Sequence, residues 1–174
     1  MGAGLLAIAS PRSNLKTGSL ASRASPLPQE QFQLIDQVFM TICGIEIKGS
    51  EAIFALANQD LEHVANATKK IALDDDEDAS SVKAFAAQIA AFVKVNTITR
   101  IVIKKRSKKG EFAGGPITFK IEGLIQLLDD CEVQLLSPQT LNAQYKKHAF
   151  DLPASLNKYQ HEAFKAACAA LLKK

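Results

Sequence analysis

Two carboxylates and one run of cations have residue types and spacing that could do chemistry. Glu46 sits inside an apolar run, flanked by Ile45 and Ile47. A lone charge is too costly to bury there, so it must be paired, metal-bound or at a strand end that solvent reaches. Glu162 falls in the last apolar-periodic segment, with Lys158 four residues before it and Lys165 three after. That spacing sets cations beside it on a helix. Lys104, Lys105, Arg106, Lys108 and Lys109 place five basic residues in six positions, just ahead of a glycine-containing loop. Ammonium groups beside mobile glycines can follow a phosphate backbone and release its counterions. Lysine makes point-charge contacts that read no bases, so binding of this kind has weak sequence preference. Lys48, in the turn Lys48-Gly49-Ser50, belongs to the same phosphate-contacting set. Each feature has a plainer reading beside the functional one. Glu46 can be an ion-pair partner of Lys48, Lys104 or Lys105, Glu162 a solvated helix charge, and the basic run a solvated turn.

Other chemistries lack their residues. There is no GxSxG, no HExxH, no phosphate-binding loop of the nucleotide-hydrolase kind, and no internal repeat. Cys43, Cys131 and Cys168 are scattered without metal-type spacing to His63, His148 and His161. Two of the cysteines read as small core residues and the histidines as surface or helix-shoulder residues of a chain kept in a reducing, cytoplasmic setting. Asp74 to Asp78 reads as a solvated helix entrance, because carboxylates favour the positive end of a helix dipole. The chain has no tryptophan, which argues against base stacking on single strands as the main binding mode. A net charge of +3 permits nucleic acid without demanding it, and no apolar run approaches the roughly 20 residues of a membrane helix.

The elements that must position these groups follow from periodicity. The 174 residues are long enough for one domain with a substantial core. Residues 1–39 carry Arg12, Lys16 and Arg23 and no periodicity, so they read as a disordered or non-native extension, with an organelle transit peptide as the alternative. Met40 stands where a natural start would, and residues 40–174 form the domain. Thr41 to Ile47 and Glu51 to Asn58 predict a strand hairpin, with a weaker third strand within His63 to Leu73. Ser80 or Ser81 is expected to cap a helix whose stripe is Val82, Phe85, Ile89, Phe92 and Val93. Thr99 to Lys105 is a fourth strand, and its uninterrupted Ile101-Val102-Ile103 predicts cover on both faces. Pro116 opens a helix buried through Ile117, Ile121, Leu124, Ile125 and Leu128. Cys131 to Leu136 is the fifth strand, and Ser137-Pro138 starts a helix that ends at Lys146, Lys147 and His148. A last helix over about Leu156 to Leu172 buries Tyr159, Ala163, Phe164, Ala167 and Leu171. An antiparallel meander followed by right-handed crossovers gives a mixed sheet with strand one in the middle, beside strand four. Glu46 and the basic loop then meet at one rim.

That order resembles the ribonuclease H-like fold, an α/β five-stranded mixed sheet with helices on both faces. Three stretches are similar to the RuvC-type Holliday-junction resolvases: GIEIKG (Gly44 to Gly49) at a strand end, IVIK followed by a loop and ITFKIEGLIQLL, and LLSPQTLN (Leu135 to Asn142). CGIEIKG and GEFAGGPITFKIE are further similar to an uncharacterised bacterial family, DUF3010. The resolvase resemblance implies carboxylates that hold two divalent metals, Mg2+ or Mn2+, around a scissile phosphate. Its first carboxylate falls on Glu46, as metal ligand and catalytic residue. The second falls on Lys104 or Lys105, which cannot bind a metal. The last-helix position falls nearest Glu162, where the family pattern expects two acids. Glu111 and Glu122 are the acids that could replace a missing ligand. Gly49-Ser50 also resembles the phosphate hairpin of actin-like ATPases, but one lobe of this size lacks the second that closes over a nucleotide.

The expectation is a degenerate ribonuclease H-like domain that binds duplex or branched nucleic acid through the basic loop without catalysis. The alternatives are a magnesium-dependent, structure-selective nuclease and a protein-interaction scaffold, since fold alone never fixes function. A homodimer is left open, and no membrane contact is expected.

Overall fold

The computed structural model describes residues 41–108, 110 and 113–173, so the expected extension over residues 1–39 lies outside the described residues. One sheet organises them. β1 (Ile42–Lys48) is central: it pairs antiparallel with β2 (Glu51–Ala57) and parallel with β5 (Arg100–Lys104). β6 (Glu132–Leu136) extends the sheet parallel to β5. On the other side, β2 takes two short antiparallel partners, β3 (His63–Val64) and β4 (Lys70–Ala72). The predicted third strand is therefore two pieces. Leu61, with a left-handed φ of 63°, turns the chain into the first piece, while Glu51 and Lys70, opposite in charge and joined at 2.6 Å, pin the second at the far end of β2.

Side-chain alternation sends the two faces of the sheet into separate cores. Cys43, Ile45, Ile47, Ile101 and Ile103 pack with Phe85, Ile89 and Phe92 of α1 (Ala79–Val95) and Ile121 and Ile125 of α2 (Pro116–Gln126). Ile42, Val102 and Ile53, Ala55 and Ala57 of β2 pack with Leu141 of α3 (Pro138–His148) and an alanine-rich face of α4 (His161–Leu172). Ile101-Val102-Ile103 is thus covered on both sides, as its continuous apolarity predicts.

Helix starts follow local chemistry with two departures. Pro116 and Pro138 occupy the first helical turns as expected, and Ser137 Oγ accepts the Thr140 amide at 3.1 Å. The cap of α1 is Asp78 rather than Ser80 or Ser81; its carboxylate accepts both serine amides, at 3.2 and 2.9 Å. An aspartate two residues before Ser80 reaches those orphan amides and adds its charge to the positive end of the helix. The last helix begins as a 3-10 turn (Lys158–Gln160). Tyr159 is exposed there, contrary to expectation, and Gln160 is buried instead, its Nε2 donating to the Phe54 carbonyl at 2.7 Å.

α4 lies almost on the sheet backbone. A β-carbon built at Gly44 would stand 1.8 Å from the Ala163 carbonyl oxygen and 2.8 Å from the Ala167 nitrogen. Only glycine admits that approach.

Candidate functional site

The same alternation that buries Ile45 and Ile103 on one face turns Glu46 and Lys104 toward the other, under α4. β1 and β5 run parallel with Ile45 opposite Ile103, so Glu46 and Lys104 emerge side by side where the two strands end. Gly44 lets α4 settle close enough for Glu162, in its first turn, to reach the same point. The result is a chain of charges. Lys104 Nζ donates to Glu46 Oε1 at 3.1 Å and to Glu162 Oε2 at 2.7 Å. Glu162 Oε1 accepts from Lys165 Nζ at 2.9 Å, and that ammonium stands 4.7 Å from the centre of the Tyr145 ring.

Side-chain exposures of 14% for Glu46, 19% for Lys104 and 34% for Glu162 make this a half-buried cluster, in which unpaired charge would be costly. Burial alone would lower the Lys104 ammonium; the hydrogen bond to Glu162 and the attraction of Glu46 outweigh it and raise its pKa. Burial alone would raise Glu162; hydrogen bonds from Lys104 and Lys165 outweigh it and hold the carboxyl below its ordinary value. Two carboxylates and two ammonium groups balance.

The remaining candidates divide. Lys48 is exposed at the β1–β2 turn, where Gly49 takes φ +60°, and Lys105 and Lys108 are exposed just past β5. All three stand on the rim that carries Glu46 and Lys104. Arg106 is turned inward: its Nη2 donates to the Ile47 carbonyl and its Nε is buried without a hydrogen-bond partner, so it ties the basic loop to the end of β1. The loop closes on itself through the Gly114 amide and Ser107 carbonyl at 2.9 Å. Lys109 and Glu111 lie outside the described residues. Glu122 is buried on α2, whose neighbours Ile121 and Ile125 pack on the opposite face of the sheet from the cluster. Lys158, expected beside Glu162, is exposed on the 3-10 turn, and Lys104 takes its place. Tyr145 is the member that sequence reasoning missed. It comes from another helix, and no spacing along the chain marks it.

The cluster does not fit a divalent metal. The two carboxylates converge on an ammonium, which is itself a cation and has no lone pair to donate. Among the described residues no group of three or more His, Cys, Asp or Glu side chains could hold a metal ion. No described helix is long and apolar enough to cross a membrane.

The comparisons with known proteins agree with this frame. The model of a family described as "Protein of unknown function (DUF3010)" matches residues 40–170, and the chain belongs to that family. No curated protein matches it. Its fold is that of RuvC, a ribonuclease H-like fold. Thermus thermophilus RuvC in complex with a Holliday junction substrate superposes with a TM-score of 0.56 over 76% of this chain and 93% of that one, at 9% identity. A second Thermus thermophilus RuvC structure gives 0.57, over 76% and 94%, again at 9% identity. At such identity the likeness concerns the fold.

Proposed function

We propose that this member of the DUF3010 family binds duplex or branched nucleic acid without cleaving it, through the cations at the C-terminal rim of β1 and β5. The observation that carries the reading is a rim with exposed ammonium groups on Lys48, Lys105 and Lys108 around a centre whose own carboxylates are already neutralised. Glu46 and Glu162 would otherwise repel a phosphate; joined to Lys104 and Lys165 they do not. The three exposed lysines then contact phosphates as point charges, and Arg106 fixes the loop that presents two of them. Support for a branched ligand comes from the RuvC structure of the same fold, which holds a Holliday junction. Three free cysteines suit a reducing compartment, the cytoplasm.

The nuclease alternative, with Mg2+ or Mn2+ on Glu46, requires the Lys104 ammonium to leave the point where the carboxylates converge. The geometry favours the binding reading over it.

Fluorescence anisotropy of a labelled four-way junction and a matched duplex, titrated from 50 to 200 mM salt, tests the proposal. Binding is expected to fall steeply with salt at a slope of roughly −0.9 per phosphate contact. Replacing Lys48, Lys105 and Lys108 together by Ala should flatten that slope by roughly 2.7. Absence of binding at 50 mM salt refutes the proposal and leaves the protein-interaction scaffold. Magnesium- or manganese-dependent cleavage lost in Glu46→Gln refutes it in favour of the nuclease. Sedimentation of the same complex counts protein copies, two being the homodimer expectation.

A further inference from the structure

Two half-buried carboxylates on different elements, one from the central strand and one from α4, converge on a single point, and a lysine ammonium occupies it. We propose that Lys104 is the resident cation of this cluster and makes it a site closed to divalent metal, which removal of that ammonium would open. The inference does not depend on nucleic-acid binding, because it concerns the cluster alone.

Glu46 and Glu162 approach the Lys104 nitrogen at 3.1 and 2.7 Å from two directions, and Lys165 satisfies only the outer oxygen of Glu162. The inner oxygens therefore share one cation and have no second described ion-pair partner. Hard divalent ions take carboxylate oxygens at about 2.1 Å and gain affinity with the number of ligand charges. In the native chain such an ion would have to displace an attached ammonium that is already hydrogen-bonded to both carboxylates. A glutamate at position 104 reverses the situation. Its shorter side chain plus a metal–oxygen bond of about 2.1 Å spans roughly the reach of the lysine. It would bring a third carboxylate to the same point, and only Lys165 would remain to offset the three.

Calorimetric titration with Mn2+ of the full chain, without nucleic acid, separates the outcomes. The native chain is expected to show no saturable binding that Glu46→Gln removes; the acidic run Asp74–Asp78 is present in both and sets the background. Lys104→Glu should bind one Mn2+ at least tenfold more tightly than that background, and Lys104→Glu combined with Glu46→Gln should lose the gain. If Lys104→Glu does not fold, Lys104→Gln serves: its melting temperature should rise by at least 5 °C with Mn2+ while the native chain's does not move. Saturable Mn2+ binding by the native chain that depends on Glu46 overturns the proposal. So does a folded Lys104→Glu with no gain, or a Lys104→Gln that Mn2+ does not stabilise.

Discussion

Gly44→Ala is the substitution on which the geometry speaks most sharply. Its added carbon would meet the Ala163 carbonyl oxygen at 1.8 Å, and the atom in the way is helix backbone, with no rotamer to give. Restoring an ordinary separation of about 3.5 Å needs α4 to lift by roughly 1.7 Å. Glu162 rides on that helix one residue before Ala163, so its 2.7 Å contact with Lys104 would open past 4 Å, about the limit of an ion pair. Overpacking of this kind ordinarily costs about 1–3 kcal/mol. Here the loss of apolar contact along the buried alanine face adds to it, so about 4 kcal/mol is expected. At about 3–5 °C per kcal/mol for a domain of this size, the melting temperature should fall by about 12–20 °C. Thermal unfolding followed by circular dichroism measures it. Gly123→Ala is the control: it lies inside α2, nothing stands within 4 Å of the added carbon, and it should stabilise by about 0.5–1 kcal/mol. A Gly44→Ala protein that melts within 2 °C of the native one would show that α4 does not pack as described.

Three other outcomes are expected. Lys104→Met takes the ion-pair partner from Glu46 and leaves Glu162 with Lys165 alone at partial burial, between the ~3–5 kcal/mol of a buried pair broken on one side and the ~0–1 of an exposed one; about 2 kcal/mol should be lost in urea denaturation, and no loss would mean the cluster is already solvated. Glu162 is held below its ordinary value of 4.5, so its contribution is present above that pH and is lost as pH falls through the depressed folded value. Lys104 is raised above 10.5, so its contribution is present below that pH and is lost as pH rises through the raised folded value. The stability gap between the native chain and Glu162→Gln should accordingly be widest between those limits and shrink outside them; a pH-independent gap in denaturation midpoints contradicts the ion-pair assignment. Burial pushes the Cys131 thiol up to about 11 and Cys168 to about 12, with Cys43 raised further. Iodoacetamide at pH 8 should therefore label Cys43 and Cys168 only after unfolding and the half-buried Cys131 slowly, and rapid labelling of Cys43 or Cys168 in the native protein would contradict their burial.

Much of the frame could be read along the chain. Alternation in Cys43-Gly44-Ile45-Glu46-Ile47, the unbroken Ile101-Val102-Ile103 and the proline-started helices at Pro116 and Pro138 fix the elements, because each is a local pattern of period two or 3.6. The parallel placement of β5 against β1 follows from crossover rules, and it brings Glu46 and the basic loop to one rim. Local pattern served less well where tertiary contact decides. His63–Val64 and Lys70–Ala72 are too short to carry a period, and Tyr159 and Gln160 exchange burial because Phe54 offers a carbonyl to an amide rather than room for a ring.

By itself, then, the sequence determined the secondary elements, their order and the pairing of an acid-bearing central strand with a lysine-ended neighbour. It left open which of Lys48, Lys104 and Lys105 would meet Glu46, and it set Glu162 against cations of its own helix. Tertiary structure decided both by drawing α4 onto Gly44, where the absence of one carbon lets Glu162 reach across to Lys104. That outcome depends on the distance between two backbones, a quantity that no spacing along a single chain encodes.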